Sequence, residues 1–249
     1  MKTELSRLFD RWRDAQKEEC ADSYEQTRPQ LDTDDPSVYE RIKASFVADG
    51  CVNYEKYFNS EKRVLFILKE AAIFRNGNRE PYLDDTANQI DTHWFKTVME
   101  NDGSLDPKYY NKFILVLSVL GTDRCAAALM NINKRGGLAA RTGDKRLSAY
   151  IDRYKKDYIM KEIEILRPTT IISCIGTGYA AENLFSLKPE NYKTVIYGKN
   201  KTAYCFTSSL TTEKTGKINV YGIYHPACRI SYCNYKQIFE NLVEQSGKL

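Results

Sequence analysis

Three polar side chains stand where apolar runs of the chain stop. Glu70 follows Val64-Leu65-Phe66-Ile67-Leu68, Asn131 lies in Met130-Asn131-Ile132-Asn133-Lys134, and His225 lies in Tyr224-His225-Pro226-Ala227. A carboxylate, a carboxamide and an imidazole brought to one cleft would make a site for acid–base and hydrogen-bond chemistry. Each residue also has an ordinary structural use: Glu70 could pair with Lys69 or cap a helix, Asn131 could satisfy a loop backbone, and His225 could precede a rigid proline turn. Their coincidence at the ends of separate runs is what singles them out.

The elements that must position them are legible from periodicity. Leu5, Leu8, Phe9 and Trp12 recur at helical spacing in an amphipathic helix from Glu4 to Glu19, and Asp35-Pro36 opens a second helix ending near Gly50. Residues 1–60 therefore read as a helical N-terminal extension, and 61–249 as the main domain. The β-branched run at Val64–Leu68 and the run Thr169–Ile175 have the character of strands buried on both faces. Helices are expected around Asp85–Glu100, Pro107–Leu120, Leu147–Leu166 and Asn234–Gln245, the third stopping at Arg167-Pro168. Further strands are expected near Lys193–Tyr197, Ala203–Thr207 and Ile218–Tyr224. This alternation implies an α/β fold, a three-layer α/β/α sandwich around a mainly parallel sheet of about four strands, with its cleft at the carboxyl ends of those strands.

Composition excludes several classes. A chain of 249 residues, 42% hydrophobic and 28% charged, can bury its own core and is neither disordered nor fibrous. Its apolar runs are too short to span a bilayer, and its N-terminus alternates charges, so a cytoplasmic protein with no membrane partner is expected. The seven cysteines contain no Cys-x-x-Cys pair, which points to reduced thiols and no metal site. Net charge is −4 over residues 1–60 and +8 over the remainder, as would suit a phosphate-bearing partner or an ordinary solvated surface. Lys134–Lys161 carries nine basic and three acidic residues and is the candidate backbone-binding face, with a solvated helix as the alternative.

Several motifs in order resemble the uracil-DNA glycosylase superfamily, particularly its iron–sulfur branch, over roughly Arg63 to Tyr235. Lys69-Glu70-Ala71-Ala72-Ile73 followed by Pro81-Tyr82 is similar to that branch's Gly-Glu-x-Pro-Gly and Pro-Phe. Asn131-Ile132-Asn133-Lys134 resembles its Asn-x-x-Lys, Arg167-Pro168 with Gly176-x-Gly178 its central strand, and Tyr224-His225-Pro226-Ala227 its His-Pro motif. The resemblance implies a glycosylase that flips an altered base from DNA, with Tyr82 stacking on it, Asn131 reading its edge and His225 stabilising the departing anion. One such preorganised donor is typically worth roughly 3–4 kcal/mol. Glu70 would position water or balance the sugar cation. Lys69 would border the base pocket, and Lys69, Lys134, Arg135 and Arg229 would meet phosphates.

The departures from the pattern bear on chemistry. Lys69 replaces the usual glycine, Ala71 stands where the better-known branch has a water-activating Asp, and the four cluster cysteines are missing, so no cofactor is expected. The alternative is a catalytically weak or inactive protein that binds nucleic acid or a modified base on the same scaffold. Gly176-Thr177-Gly178 lacks the third glycine and the correctly spaced acid of a dinucleotide site. A DNA partner and a monomeric chain are the expectations carried forward.

Overall fold

The computed structural model describes residues 2–18, 45–74, 93–104, 106–138 and 144–247. The chain opens with α1 (Lys2–Glu18), which buries the Leu5, Leu8, Phe9 and Trp12 stripe read from the sequence. After β1 (Gly50–Cys51) and the short α2 (Tyr54–Asn59), the apolar run becomes β2 (Val64–Phe74). Helices α3 (His93–Glu100) and α4 (Pro107–Val119) lead to β3 (Ala127–Leu138). Helix α5 (Asp144–Tyr154) passes through a π-helical segment, Lys155–Ile159, into α6 (Met160–Leu166). Arg167 ends α6 in the left-handed region, φ 49°, because Pro168 cannot continue the helix. Next come β4 (Thr170–Ser173), α7 (Tyr179–Phe185), β5 (Tyr192–Tyr197), β6 (Lys201–Thr212), β7 (Gly216–Gly222) and α8 (Tyr232–Gln245).

The sheet is larger than the four strands expected and is mixed, with seven strands in the order β1-β3-β2-β4-β7-β6-β5. Its centre, β3, β2, β4 and β7, is parallel, while β1 pairs antiparallel with β3 on one side and β6 pairs antiparallel with both β7 and β5 on the other. Sequence alternation could not reveal this, because β1 has only two residues and the β5–β6 pair reads like any other hairpin. Residues 45–49 are not helical: Val47 donates to the Lys134 carbonyl (2.7 Å), and the chain enters β1 at Gly50, where the second helix was expected to end. The rest of that helix lies outside the described residues.

Two apolar layers sandwich the sheet. On one face Leu5, Phe9, Trp12, Tyr57, Ile151, Ile163 and Leu184 pack on Leu65, Ile67, Met130 and Ile132. On the other, Phe95, Phe113, Ile238 and Phe239 pack on Phe66, Leu68, Leu129 and Ile172. Helices α1, α5, α6 and α7 thus cover the first face, and α3, α4 and α8 the second. The N-terminal helix shares one continuous core with the central strands. None of the helices among the described residues is long and apolar enough to cross a membrane.

Where the parallel half of the sheet meets the antiparallel half, Gly222 at the end of β7 faces the buried Phe206 of β6 in register. A Cβ on Gly222 would lie 2.0 Å from a Phe206 ring carbon, so glycine alone lets the ring lie against this strand. Gly222→Ala should therefore lower stability by about 1–3 kcal/mol through overpacking, read as a reduced urea midpoint with an unchanged m-value. An unaltered midpoint would show that the ring moves aside freely.

Candidate functional site

The four parallel strands run toward one edge of the sheet, where β2 and β3 continue to Phe74 and Leu138, past the ends of β4 and β7. In β2 and β3, Leu68 lies opposite Asn131 and Glu70 opposite Asn133, so these residues share the sheet face covered by α3, α4 and α8. Asn133 Nδ2 donates to Glu70 Oε2 (3.0 Å), and its Oδ1 accepts the Arg135 backbone N–H (3.1 Å). The Glu70 carboxylate is thereby held by a carboxamide that is itself fixed at both ends.

Asn131 is buried and oriented by Asp49, which accepts its Nδ2 (2.9 Å) and its backbone N–H (2.5 Å). Since Nδ2 must face the carboxylate, the carboxamide oxygen is turned away from it. That Oδ1 is buried with no hydrogen-bond partner among the described residues. A buried acceptor left open is costly unless a ligand N–H or a water completes it.

His225 lies beyond β7, on the same sheet face. Its ring meets Tyr109 of α4 edge to face, with centroids 5.7 Å apart and planes at 89°. The turn that carries it is braced on several sides. Cys228 N–H donates to the His225 carbonyl (2.8 Å), Lys112 Nζ to the Cys228 carbonyl (2.8 Å), and Tyr235 Oη to the Tyr224 carbonyl (2.8 Å). Within the turn, His225 Nδ1 accepts the Ala227 N–H (3.1 Å), which puts the proton of a neutral ring on Nε2. Burial, followed by the positive charges of Lys69, Lys112 and Lys108, lowers the imidazole pKa to about 4. His225 is therefore a neutral donor at pH 7.

Lys134 and Arg135 are not surface cations. Strand alternation turns Lys134 to the opposite face from Asn131 and Asn133, where it is wholly buried. Its ammonium is paired with Asp49 and with Glu162 of α6 (2.8 Å), and lies 5.1 Å from the ring centroids of Phe9 and Trp12. Between the pairs Glu70–Asn133 and Ala72–Gly137, β3 gains two residues on β2, and this bulge turns Arg135 to the α1 side. Its guanidinium reaches the Gln16 carbonyl (3.4 Å) and lies over the Tyr150 ring. Neither residue can be the phosphate contact expected of it.

Arg229 is exposed in the loop after His225, and Lys69 is half-buried at the edge near the imidazole. Tyr82 lies outside the described residues. In the cationic segment the exposed Arg153, Lys156 and Lys161 stand on the α5–α6 layer, on the opposite sheet face from His225. The sequence reading missed Asn133, Tyr109 and Asp49. The two-residue spacing of Asn131 and Asn133 on one strand was the available signal for Asn133. Nothing local pointed to the other two, which arrive from distant segments. A cavity of about 340 Å³ beside α4, lined by Asp102, Tyr110, Ile114, Leu117, Asp123 and Arg124 among others, contains none of the residues singled out from the sequence. Among the described residues no three His, Cys, Asp or Glu side chains group as a metal would require.

With neighbouring strands about 4.8 Å apart, β3 and β7 are separated by roughly 14 Å, with β2 and β4 between them. No protein-family model matches the chain, and no curated protein matches it.

Burial raises the Glu162 pKa from 4.5 to about 8 against the pull of Lys134, so its carboxyl is largely protonated at neutral pH. A raised pKa stabilises the fold below the unfolded value and loses that contribution as pH climbs through about 8. Glu162→Gln mimics the acid, so it should remove the decline in stability that wild type shows between pH 6.5 and 8 in urea titrations; an identical decline would refute the assignment. His225 has the opposite sign, its contribution being complete above about 6.5 and lost as pH falls through about 4. The chain has two histidines, so ¹⁵N NMR with His93→Gln for assignment should find His225 as the neutral Nε2–H tautomer from pH 5 to 8. Titration near 6.5 would contradict it.

Proposed function

We propose that the protein is a DNA glycosylase-like enzyme that hydrolyses the N-glycosidic bond of uracil or another altered base flipped out of DNA. The observation that carries this reading is the braced, neutral His225, whose Nε2–H is the one ring donor left for a ligand. As the C1′–N bond breaks, the electron pair moves onto the base, and a fixed neutral donor stabilises the charge developing on a base oxygen. Lys69, close enough to depress the His225 pKa, would add a positive field at the same place.

Asn131 supports recognition. Its oriented, unpartnered Oδ1 suits an imide N–H such as that of uracil, whose binding would satisfy the buried acceptor. Glu70, held by Asn133, would accept a proton from the attacking water while the water oxygen bonds to C1′. The base leaves as an anion and takes its proton from solvent. Tyr82 remains the proposed stacking partner, and Arg229 the proposed phosphate contact.

The second reading, binding without cleavage, is favoured by Lys69 and Ala71, where the resembling motif carries glycine and the better-known branch a water-activating acid. Single-stranded and duplex oligonucleotides bearing uracil, hypoxanthine or hydroxymethyluracil, with abasic sites revealed by alkali, separate the two. We expect base release that falls about 10²–10³-fold in His225→Ala and drops strongly in Asn131→Ala and Glu70→Gln. No release from any substrate, with salt-sensitive binding retained, would favour the second reading; neither release nor binding would overturn both.

A further inference from the structure

We infer that the β5–β6 hairpin is a platform for single-stranded DNA flanking the flipped nucleotide; this deepens the proposed function and rests on it for the identity of that nucleotide. In register, Phe206 of β6 is level with Gly222, the last residue of β7, and β6 continues five residues back to Lys201 while β5 pairs along the same stretch. At about 3.4 Å per residue the hairpin therefore projects roughly 17 Å beyond the end of β7, from which the His225 turn departs. Tyr204 N–H reaches Tyr224 Oη (3.4 Å), next to His225, which fixes the hairpin against that turn.

The hairpin's two faces differ. One, on the His225 side of the sheet, carries Val195, Ala203 and Cys205 and is sealed by α8, so a DNA strand reaching the other face from the site must pass over the sheet edge. On the other, Phe206 at the base is covered by Phe185 of α7, but the cross-strand pairs above it, Thr194–Tyr204 and Ile196–Thr202, are uncovered. Tyr204 is 63% exposed and Ile196 61%, and Tyr179, which opens α7 on the same side, is 63% exposed. Ile196 and Tyr204 are diagonal neighbours on this uncovered face.

Charge selects the occupant. From Asn191 to Thr212 there are three lysines and no Asp or Glu, and exposed Lys199 and Lys201 flank the tip. A polyanion with planar, stackable units fits both features, and a single strand presents its bases where a duplex hides them.

The test is fluorescence anisotropy of the full chain with a labelled 20-nucleotide single strand lacking altered bases, and with its duplex, across 50–200 mM KCl. Tyr204→Ala should weaken single-strand binding about tenfold and Tyr179→Ala should weaken it to a lesser degree, whereas Tyr204→Phe should keep it. Lys199→Gln with Lys201→Gln should flatten the salt slope by about 1.4, at roughly 0.7 per phosphate lost. Tyr204 is exposed, so an unchanged thermal midpoint should accompany these losses. Single-strand affinity unaltered in Tyr204→Ala would overturn the inference. So would self-association in ultracentrifugation that Ile196→Ser abolishes, since the face would then belong to a second copy. Tyr204-dependent binding without base release would leave the platform standing and remove the glycosylase, and base release indifferent to Tyr204 would do the reverse.

Discussion

One buried ammonium organises half of this molecule. Lys134 has no access to water, and an unpaired charge there would cost several kcal/mol or more, so acidic side chains must be brought to it. Asp49 comes from the segment before β1 and Glu162 from α6, while Phe9 and Trp12 of α1 close over the ammonium. Four separate stretches of chain thus meet at a single atom. This requirement draws the N-terminal segment into the core of the central strands, and it explains why Asp49 stands where it can also orient Asn131.

The opposite face uses positive charge differently. Lys69, Lys108 and Lys112 lie near an imidazole rather than a carboxylate, and with burial they keep His225 unprotonated. The same field favours an anion forming beside the ring, so one electrostatic arrangement fixes the donor's protonation state and suits its proposed work. Lys112 also ties α4 to the His225 turn through the Cys228 carbonyl, which makes charge and positioning properties of one side chain.

The sheet divides its labour along its length. Parallel strands bring Glu70, Asn131 and the His225 turn to one side of the sheet: β4 and β7 end near this level, while β2 and β3 run on to Phe74 and Leu138. The β5–β6 hairpin carries the sheet past the end of β7 on one side, as the continuations of β2 and β3 do on the other. Gly222 and Phe206 form the joint between the halves.

The sequence by itself determined the buried strands, the amphipathic helices and the place of His225 just after a central strand, because hydrophobic period and proline stops are local properties. Glu70, read as a strand end, lies inside β2, which pairs with β3 as far as Phe74. Periodicity also recovered α1 and α4 closely, and it found β5 and α8 to within two residues. Only the tertiary structure decided which polar residues face the cleft. Strand alternation and a two-residue bulge sent Lys134 and Arg135 into the far layer, and pairing across the sheet substituted Asn133 as the partner of Glu70. The extra antiparallel strands, the role of Asp49 and the contact of Tyr109 with His225 likewise join residues tens of positions or more apart. Such contacts are set by which surfaces can be buried together and which charges must then be compensated, and no window of sequence contains that information.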